Sequence, residues 1–224
     1  MALTAGIGVF GGTFAPIHNA HLRLAIEVCE QIGLDRVLVV PCATPAHRAV
    51  PAVSAARRLR WVRLAAAGDP RLVADDRELH RGGPSYTYDT LAELRAELGA
   101  GIPLVLMIGE DAANGFHTWH RWREILDLAH LVFVERPFEP ADPAAVLTAF
   151  LHDRQAPSAA ALRTRPAGLC WRVTIPPLAI SSTRVRRLLA AGRSVCGLVP
   201  DAVLQDFTDE DVRLLSHDQE PLAD

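Results

Sequence analysis

Two imidazoles, His18 and His21, stand three positions apart directly after Gly11-Gly12-Thr13-Phe14. On the first turn of a helix that spacing turns both rings to one side. Paired glycines let the backbone come close to a ligand, and the free N–H groups of a helix start favour an anion, so the stretch can seat a phosphate beneath two side-chain donors. A purely structural strand-to-helix turn uses Gly-Gly as well; the histidine pair is what points to phosphate chemistry. A second such cluster is Ile180-Ser181-Ser182-Thr183-Arg184-Val185-Arg186, where hydroxyls, backbone donors and guanidinium groups gather at a predicted helix start and suit a polyphosphate. Capping alone would account for Ser182, and a basic helix face for Arg186 and Arg187.

These groups need elements to carry them. Ile7 to Phe10 reads as a strand, and Leu22, Ala25, Ile26, Cys29 and Ile32 recur at helical spacing up to a stop at Gly33. Arg36 to Val40, Pro103 to Ile108 and Leu131 to Val134 are nearly unbroken apolar runs, as in parallel strands buried on both faces. Each opens at its carboxyl end into a segment with candidate ligand groups, and that is the edge where open parallel sheets bind ligands. His47 and Arg48 follow the first of these runs, Gly109 and Asp111 the second, and Arg136 the third. Asp111 is placed to accept from ribose hydroxyls or to cap the next helix, uses that are compatible. Trp119, a large aromatic near that edge, offers a face on which a ligand ring can stack or packs in the core, whereas Trp122 reads as core.

Ser54 is expected to cap a helix with Leu59, Val62 and Ala66 inward and Arg57, Arg58 and Arg60 on a solvated face. An extended segment is expected from Arg71 to about Leu79, then a chain break at Gly82-Gly83-Pro84 and a helix from Thr87 or Asp89 to Leu98. Residues 138–168 read as an excursion over the surface containing one helix, Ala144 to His152, and Trp171 to Ile175 as the last strand.

A chain of 224 residues, 50% hydrophobic, fits one α/β domain with a sizeable core. A net charge of −3 gives no polyanion-binding surface, so nucleic acid is not an expected partner. Four cysteines without a C-x-x-C pair argue against a zinc site or a disulfide framework. Without a signal peptide or an apolar run long enough to span a bilayer, the expectation is a soluble, cytoplasmic protein that uses no membrane. Oligomeric state, monomer or homodimer, is left open.

The first stretch resembles the H-x-G-H signature of the nucleotidyltransferase superfamily, and G-G-T-F-x-P-x-H is similar to the nicotinate-mononucleotide adenylyltransferases. Further matches follow in order: P-x-H-(K/R) at Pro45 to Arg48, P-S-Y-T-x-x-T-L at Pro84 to Leu91, G-x-D at Gly109 to Asp111, R-P at Arg136-Pro137, and I-S-S-T-x-(I/V)-R at Ile180 to Arg186. The resemblance covers roughly positions 6 to 207. Ala15 stands where the family has Asp, and Ala20 replaces the Gly between the histidines.

The resemblance implies a Rossmann-like open, mainly parallel sheet with helices on both faces, in a single domain over 1–207. That domain includes a small C-terminal helical part from about 181, and a terminal helix and tail follow over 208–224. It implies adenylyl transfer from ATP to nicotinate mononucleotide with release of pyrophosphate. His18 and His21 would act at the α-phosphate, and Gly11, Gly12, Thr13, Phe14, Gly109, Asp111, Ser182, Thr183 and Arg184 would bind ATP. His47, Arg48, Tyr86, Thr87, Trp119 and Arg136 would hold the nicotinate mononucleotide. Magnesium would be held mainly by phosphate oxygens, with no protein metal site. Two alternatives are a sister enzyme such as phosphopantetheine adenylyltransferase and a catalytically silent nucleotide-binding regulator.

Overall fold

The computed structural model describes residues 6–46, 49–135 and 144–218, with backbone alone at positions 110 and 111. Six strands form one parallel sheet: β1 (Ile7–Gly12), β2 (Arg36–Pro41), β3 (Leu72–Ala74), β4 (Leu104–Gly109), β5 (His130–Glu135) and β6 (Cys170–Thr174). Their order is β3-β2-β1-β4-β5-β6, so the chain reverses its direction of growth between β1 and β4. In an open α/β sheet the crevice at that reversal is the ligand position. Between and after the strands lie α1 (Asn19–Ile32), α2 (Ala55–Ala66), α3 (Arg77–Arg81), α4 (Thr87–Leu98), α5 (Glu110–Ala113), α6 (Ile125–Leu128), α7 (Ala145–Leu151), α8 (Ser182–Ala190), α9 (Asp201–Asp206) and α10 (Asp209–His217).

Alternation along the strands sorts the apolar side chains to two faces. Phe10, Val37, Val39, Val105, Met107, Val132, Val134 and Val173 join one core with α1, α2, α8 and α10. Ile7, Val9, Leu38, Val40, Leu104, Leu106, Ile108, Leu131 and Phe133 join the other, with α4, α6 and α7. This is the doubly wound α/β architecture expected. Gly33 ends α1 in the left-handed region, φ 75°, its N–H donating to Cys29 O.

Three expectations are corrected. Residues 77–81 are helix α3 and not extended chain, because Glu78 turns inward to meet Thr90 Oγ1 at 2.6 Å while Arg77 pairs with Asp75 outside. The described part of the 138–168 excursion is no mere surface cover. Leu147 and Leu151 of α7 are buried in one core, and Ala156 and Leu162, the latter within a 3-10 turn, in the other. Of the three α2 arginines expected on a solvated face, Arg60 is exposed and Arg57 half-buried, but Arg58 is turned inside. Arg57 donates to Asp211 of α10 at 2.6 Å and Arg60 to Asp206 of α9 at 2.9 Å, which ties the C-terminal helices to the sheet domain, and Arg58 is fully buried.

Candidate active site

The glycines of the first motif are the last two residues of β1, paired with Val40 and Pro41, and neither has the left-handed backbone of a glycine turn. The turn is made two positions later by Phe14, at φ 50°. A Cβ on Gly12 would come within 2.8 Å of the Phe14 ring, so glycine is needed there for the ring to fold back over the strand end. Phe14 then packs edge-on against His21, ring centroids 5.0 Å apart.

His18 is the N-cap residue of α1 and His21 its third residue. Their rings stack, centroids 3.5 Å apart and planes within 14°. The backbone N–H of His18 donates to His21 Nδ1 at 3.2 Å. Burial, and then the neighbouring His18, holds the His21 pKa well below the usual imidazole value. A neutral ring that accepts at Nδ1 carries its proton on Nε2, so His21 presents an N–H donor. Around it the first-turn amides are partly used. Asn19 N–H donates to Leu198 O and His21 N–H to His18 O, both at 2.9 Å, which leaves the Ala20 N–H as the first-turn amide open to an anion.

The second motif is docked onto this turn. Ser181 caps α8 by accepting the Arg184 N–H at 3.1 Å, so the cap is Ser181 and not Ser182. Ser182 Oγ donates to Pro16 O at 3.0 Å, and buried Arg186 donates to Ala15 O at 3.0 Å. Asn19 Nδ2 reaches Gly197 O at 2.8 Å. The structure thus joins His18, His21, Gly11 to Phe14, Ser182 and Thr183 at the carboxyl edge between β1 and the start of α8. Arg184 is exposed there and donates to Ala179 O. Gly109 ends β4 on the same edge and is the N-cap residue of α5, within which Asp111 lies.

The acceptor candidates gather beside β2. Tyr86 is the N-cap residue of α4 and makes no side-chain cap, so the first-turn amides from Thr87 onward are without a side-chain acceptor from the cap. The Tyr86 ring lies 4.4 Å from that of His120, which brings the Trp119 segment alongside. Trp119 is partly buried, 5.2 Å from Phe116, whereas Trp122 is core, edge-on to Phe150. His47, Arg48 and Arg136 lie outside the described residues.

Reasoning from sequence passed over Arg58, Glu78 and His120. For Arg58 the signal was present: it is spaced three, four and seven positions before Trp61, Val62 and Ala65, all buried on α2.

A family model of cytidylyltransferase-like proteins matches residues 9–188. A Marinobacter nauticus protein named "Probable nicotinate-nucleotide adenylyltransferase" is 48% identical over 199 residues, 89% of this chain and 92% of its own length. A protein of the same name from Pseudomonas aeruginosa is 50% identical over 198 residues, 88% of this chain and 92% of its own. In fold, the chain is similar to Plasmodium falciparum nicotinic acid mononucleotide adenylyltransferase complexed with NaAD. There the TM-score is 0.66 at 16% identity, over 95% of each chain.

Proposed function

The chain belongs to the cytidylyltransferase-like family, among relatives named for nicotinate-nucleotide adenylyl transfer, and from that premise we propose that it joins ATP to nicotinate mononucleotide. An oxygen of the mononucleotide's 5′-phosphate forms a bond to the α-phosphorus of ATP. The bond from that phosphorus to the α,β-bridging oxygen breaks, and pyrophosphate leaves with the electron pair. The nucleophile is already an anion, so no activated serine or cysteine is required. Two mutually repelling anions must be aligned, and charge must be met where it develops on phosphate oxygens.

The observation that carries this reading is the neutral His21 ring with its Nε2–H uncommitted beside the open Ala20 amide. In the proposed assignment His18 and His21 donate at the α-phosphate, and Gly11, Gly12, Thr13 and Phe14 shape the phosphate seat. Gly109 and Asp111 hold the nucleoside, and Thr183 and Arg184 serve the β and γ groups. Ser182 acts by holding the Ala15-Pro16 turn. Tyr86, Thr87 and the open amides at the start of α4 receive the nicotinate carboxylate. Trp119 stacks on the pyridine, and His47, Arg48 and Arg136 complete the acceptor side.

Among the described residues no group of three His, Cys, Asp or Glu is placed to hold a metal; a magnesium ion would be carried by triphosphate oxygens and water. Bound there, that ion would supply charge neutralisation of the triphosphate. No described helix is long and apolar enough to cross a membrane, and all four cysteines are free.

Pyrophosphate release from ATP, measured with each phosphate acceptor in turn, tests the reading. Nicotinate mononucleotide should support release, with nicotinamide mononucleotide at least about tenfold poorer in kcat/KM because the α4 amides then lose a charged partner. Release with 4′-phosphopantetheine alone would assign the sister activity, and ATP binding without release would make the chain a silent nucleotide binder.

A further inference from the structure

Beneath the two half-sites lies a buried polar cluster that no step of the proposed reaction uses. Arg58 is 1% exposed, and its guanidinium lies among backbone carbonyls. Nη1 donates to Thr13 O at 2.7 Å, Nη2 to Ala43 O at 3.2 Å and Nε to Val53 O at 3.3 Å. Thr13 follows β1, Ala43 follows β2 and Val53 precedes α2, so one planar group holds three separate segments. Arg57 and Arg60 on the same helix pair with carboxylates; Arg58 has none within ion-pair distance among the described residues. A guanidinium kept in the interior against carbonyls and the Cys42 thiol, 3.9 Å from Nη1, is a costly choice where an apolar side chain would fill the space. What it provides is geometry, since the rigid fork fixes the relative positions of its acceptors.

The path continues toward the acceptor side. Ala43 N–H donates to Ser85 Oγ at 2.9 Å, and Ser85 N–H donates back to Thr44 O at 2.9 Å. Ser85 Oγ also accepts the Thr44 N–H at 3.4 Å, and within α4 Thr90 Oγ1 donates to the buried Glu78 carboxylate at 2.6 Å. Tyr86 and Thr87 follow Ser85 directly. A continuous set of hydrogen bonds therefore runs from the carbonyl of Thr13, under the donor phosphates, to the start of α4, under the acceptor.

We propose that Arg58 is a positioning residue that sets the separation and angle between the ATP loop and the acceptor loop. The inference rests on the assignment of the reaction made above, which places one reactant at each end of the path. In-line attack needs reacting atoms about 3–3.5 Å apart, and a displacement of about 1 Å lowers rate by up to about 10². A misplaced pair of loops therefore lowers kcat in protein that is fully folded, whereas a purely structural arginine lowers only the fraction folded.

Arg58→Met keeps the apolar stem and removes the fork; Arg58→Lys keeps charge but cannot span three carbonyls. The expected result, at a temperature well below each variant's unfolding midpoint, is a kcat about tenfold or more lower for Arg58→Met. Arg58→Lys should be intermediate, and KM for both nucleotides should change less than kcat. Wild-type kcat and KM in either folded variant would overturn the proposal, and Arg58→Lys carries the test alone if Arg58→Met does not fold. Amide hydrogen exchange in the free protein needs no substrate and stands apart from the identity of the acceptor. Ala43 and Ser85 should exchange faster in the variants while the α1 amides keep their protection. Unchanged protection at Ala43 and Ser85 would overturn the coupling even if the wild-type chain proved to use another phosphate acceptor.

Discussion

Two histidines of this protein have depressed pKa values and lie in different regions: His21 on the first turn of α1, and His130 at the buried start of β5. Each accepts a backbone N–H on Nδ1, from His18 at 3.2 Å and from Leu169 at 3.1 Å. Burial is the main cause of both shifts, taking His130 to about 4. Both rings are thus neutral with the proton on Nε2. In His130 that proton goes to Arg165 O at 2.9 Å, and the ring is a crosslink between β5 and the chain before β6. In His21 no acceptor among the described residues takes it. Burial and a perturbed pKa are common to the core histidine and the candidate catalytic one. The uncommitted donor separates them.

The strongest challenge to that contrast is His21→Ala. Removal of a donor to developing charge costs about 10²–10³ in kcat, and because the ring is only partly buried the unfolding midpoint should stay close to that of the wild type. Steady-state turnover with thermal unfolding checks both. His21→Gln, which retains an amide donor, should recover part of the loss, and near-normal turnover in His21→Ala would remove the ring from the chemistry.

Acid separates the two histidines by stability and by spectrum. His130 titrates near 6.5 when unfolded and at about 4 when folded, so between those values the unfolded chain binds a proton that the native state refuses. Stability is intact above pH 6.5 and falls as pH drops toward 4, by about 3 kcal/mol for a shift of that size. His21 acts in the same direction. The Asp211 carboxylate adds a lower limb: burial raises its pKa, but hydrogen bonds from Arg57 and Thr208 outweigh that and hold it down, so its contribution persists until pH falls below the ordinary carboxylate value. Urea denaturation at pH 7 and pH 4.5, with NMR titration of the ring protons, reads each part. A His130 midpoint near 6.5 would show that its ring is not the crosslink described.

A smaller effect distinguishes support from contact at the second motif. Ser182 Oγ donates to Pro16 O, so Ser182→Ala should lower stability by about 1 kcal/mol and leave KM for ATP within about threefold of wild type. A large rise in KM for ATP at unchanged stability would place the hydroxyl on the triphosphate after all.

Much of this was legible in the chain. Strands such as Val37 to Val40 and Leu104 to Ile108 are apolar on both faces because both faces are covered, and Gly33 and Gly99 end helices where a stop was expected. The motif order placed the candidate groups on one sheet edge. What could not be read has a common cause. Hydrogen bonds between side chains and distant backbone leave no periodic trace, so the spacing of Arg58 marks the face it lies on but not what it holds, and nothing in the chain marks the tie of Ser85 to Ala43. Gly11 and Gly12 suggested the turn itself, while the left-handed residue is Phe14, whose type gives no hint of it. His130 carries no motif at all, and its role depends on Arg165 and Leu169, more than thirty positions away in sequence.

The finest test concerns the single methyl by which the first motif departs from its family. Ala20 is the second residue of α1, and its N–H is the first-turn amide that neither Leu198 O nor His18 O occupies. Its Cβ therefore stands beside the donor that an incoming phosphate would use. Ala20→Gly removes that bulk and widens the approach, at a helix cost below the roughly 1 kcal/mol of an interior position because the first turn is the least demanding part of a helix. KM for ATP should fall by about twofold to threefold, on the order of 0.5 kcal/mol, with the unfolding midpoint slightly lowered and kcat unchanged. Should KM remain at the wild-type value while the midpoint drops, the methyl is harmless to the nucleotide, and the uncommitted proton of His21 is left as the feature that marks this helix start as a site.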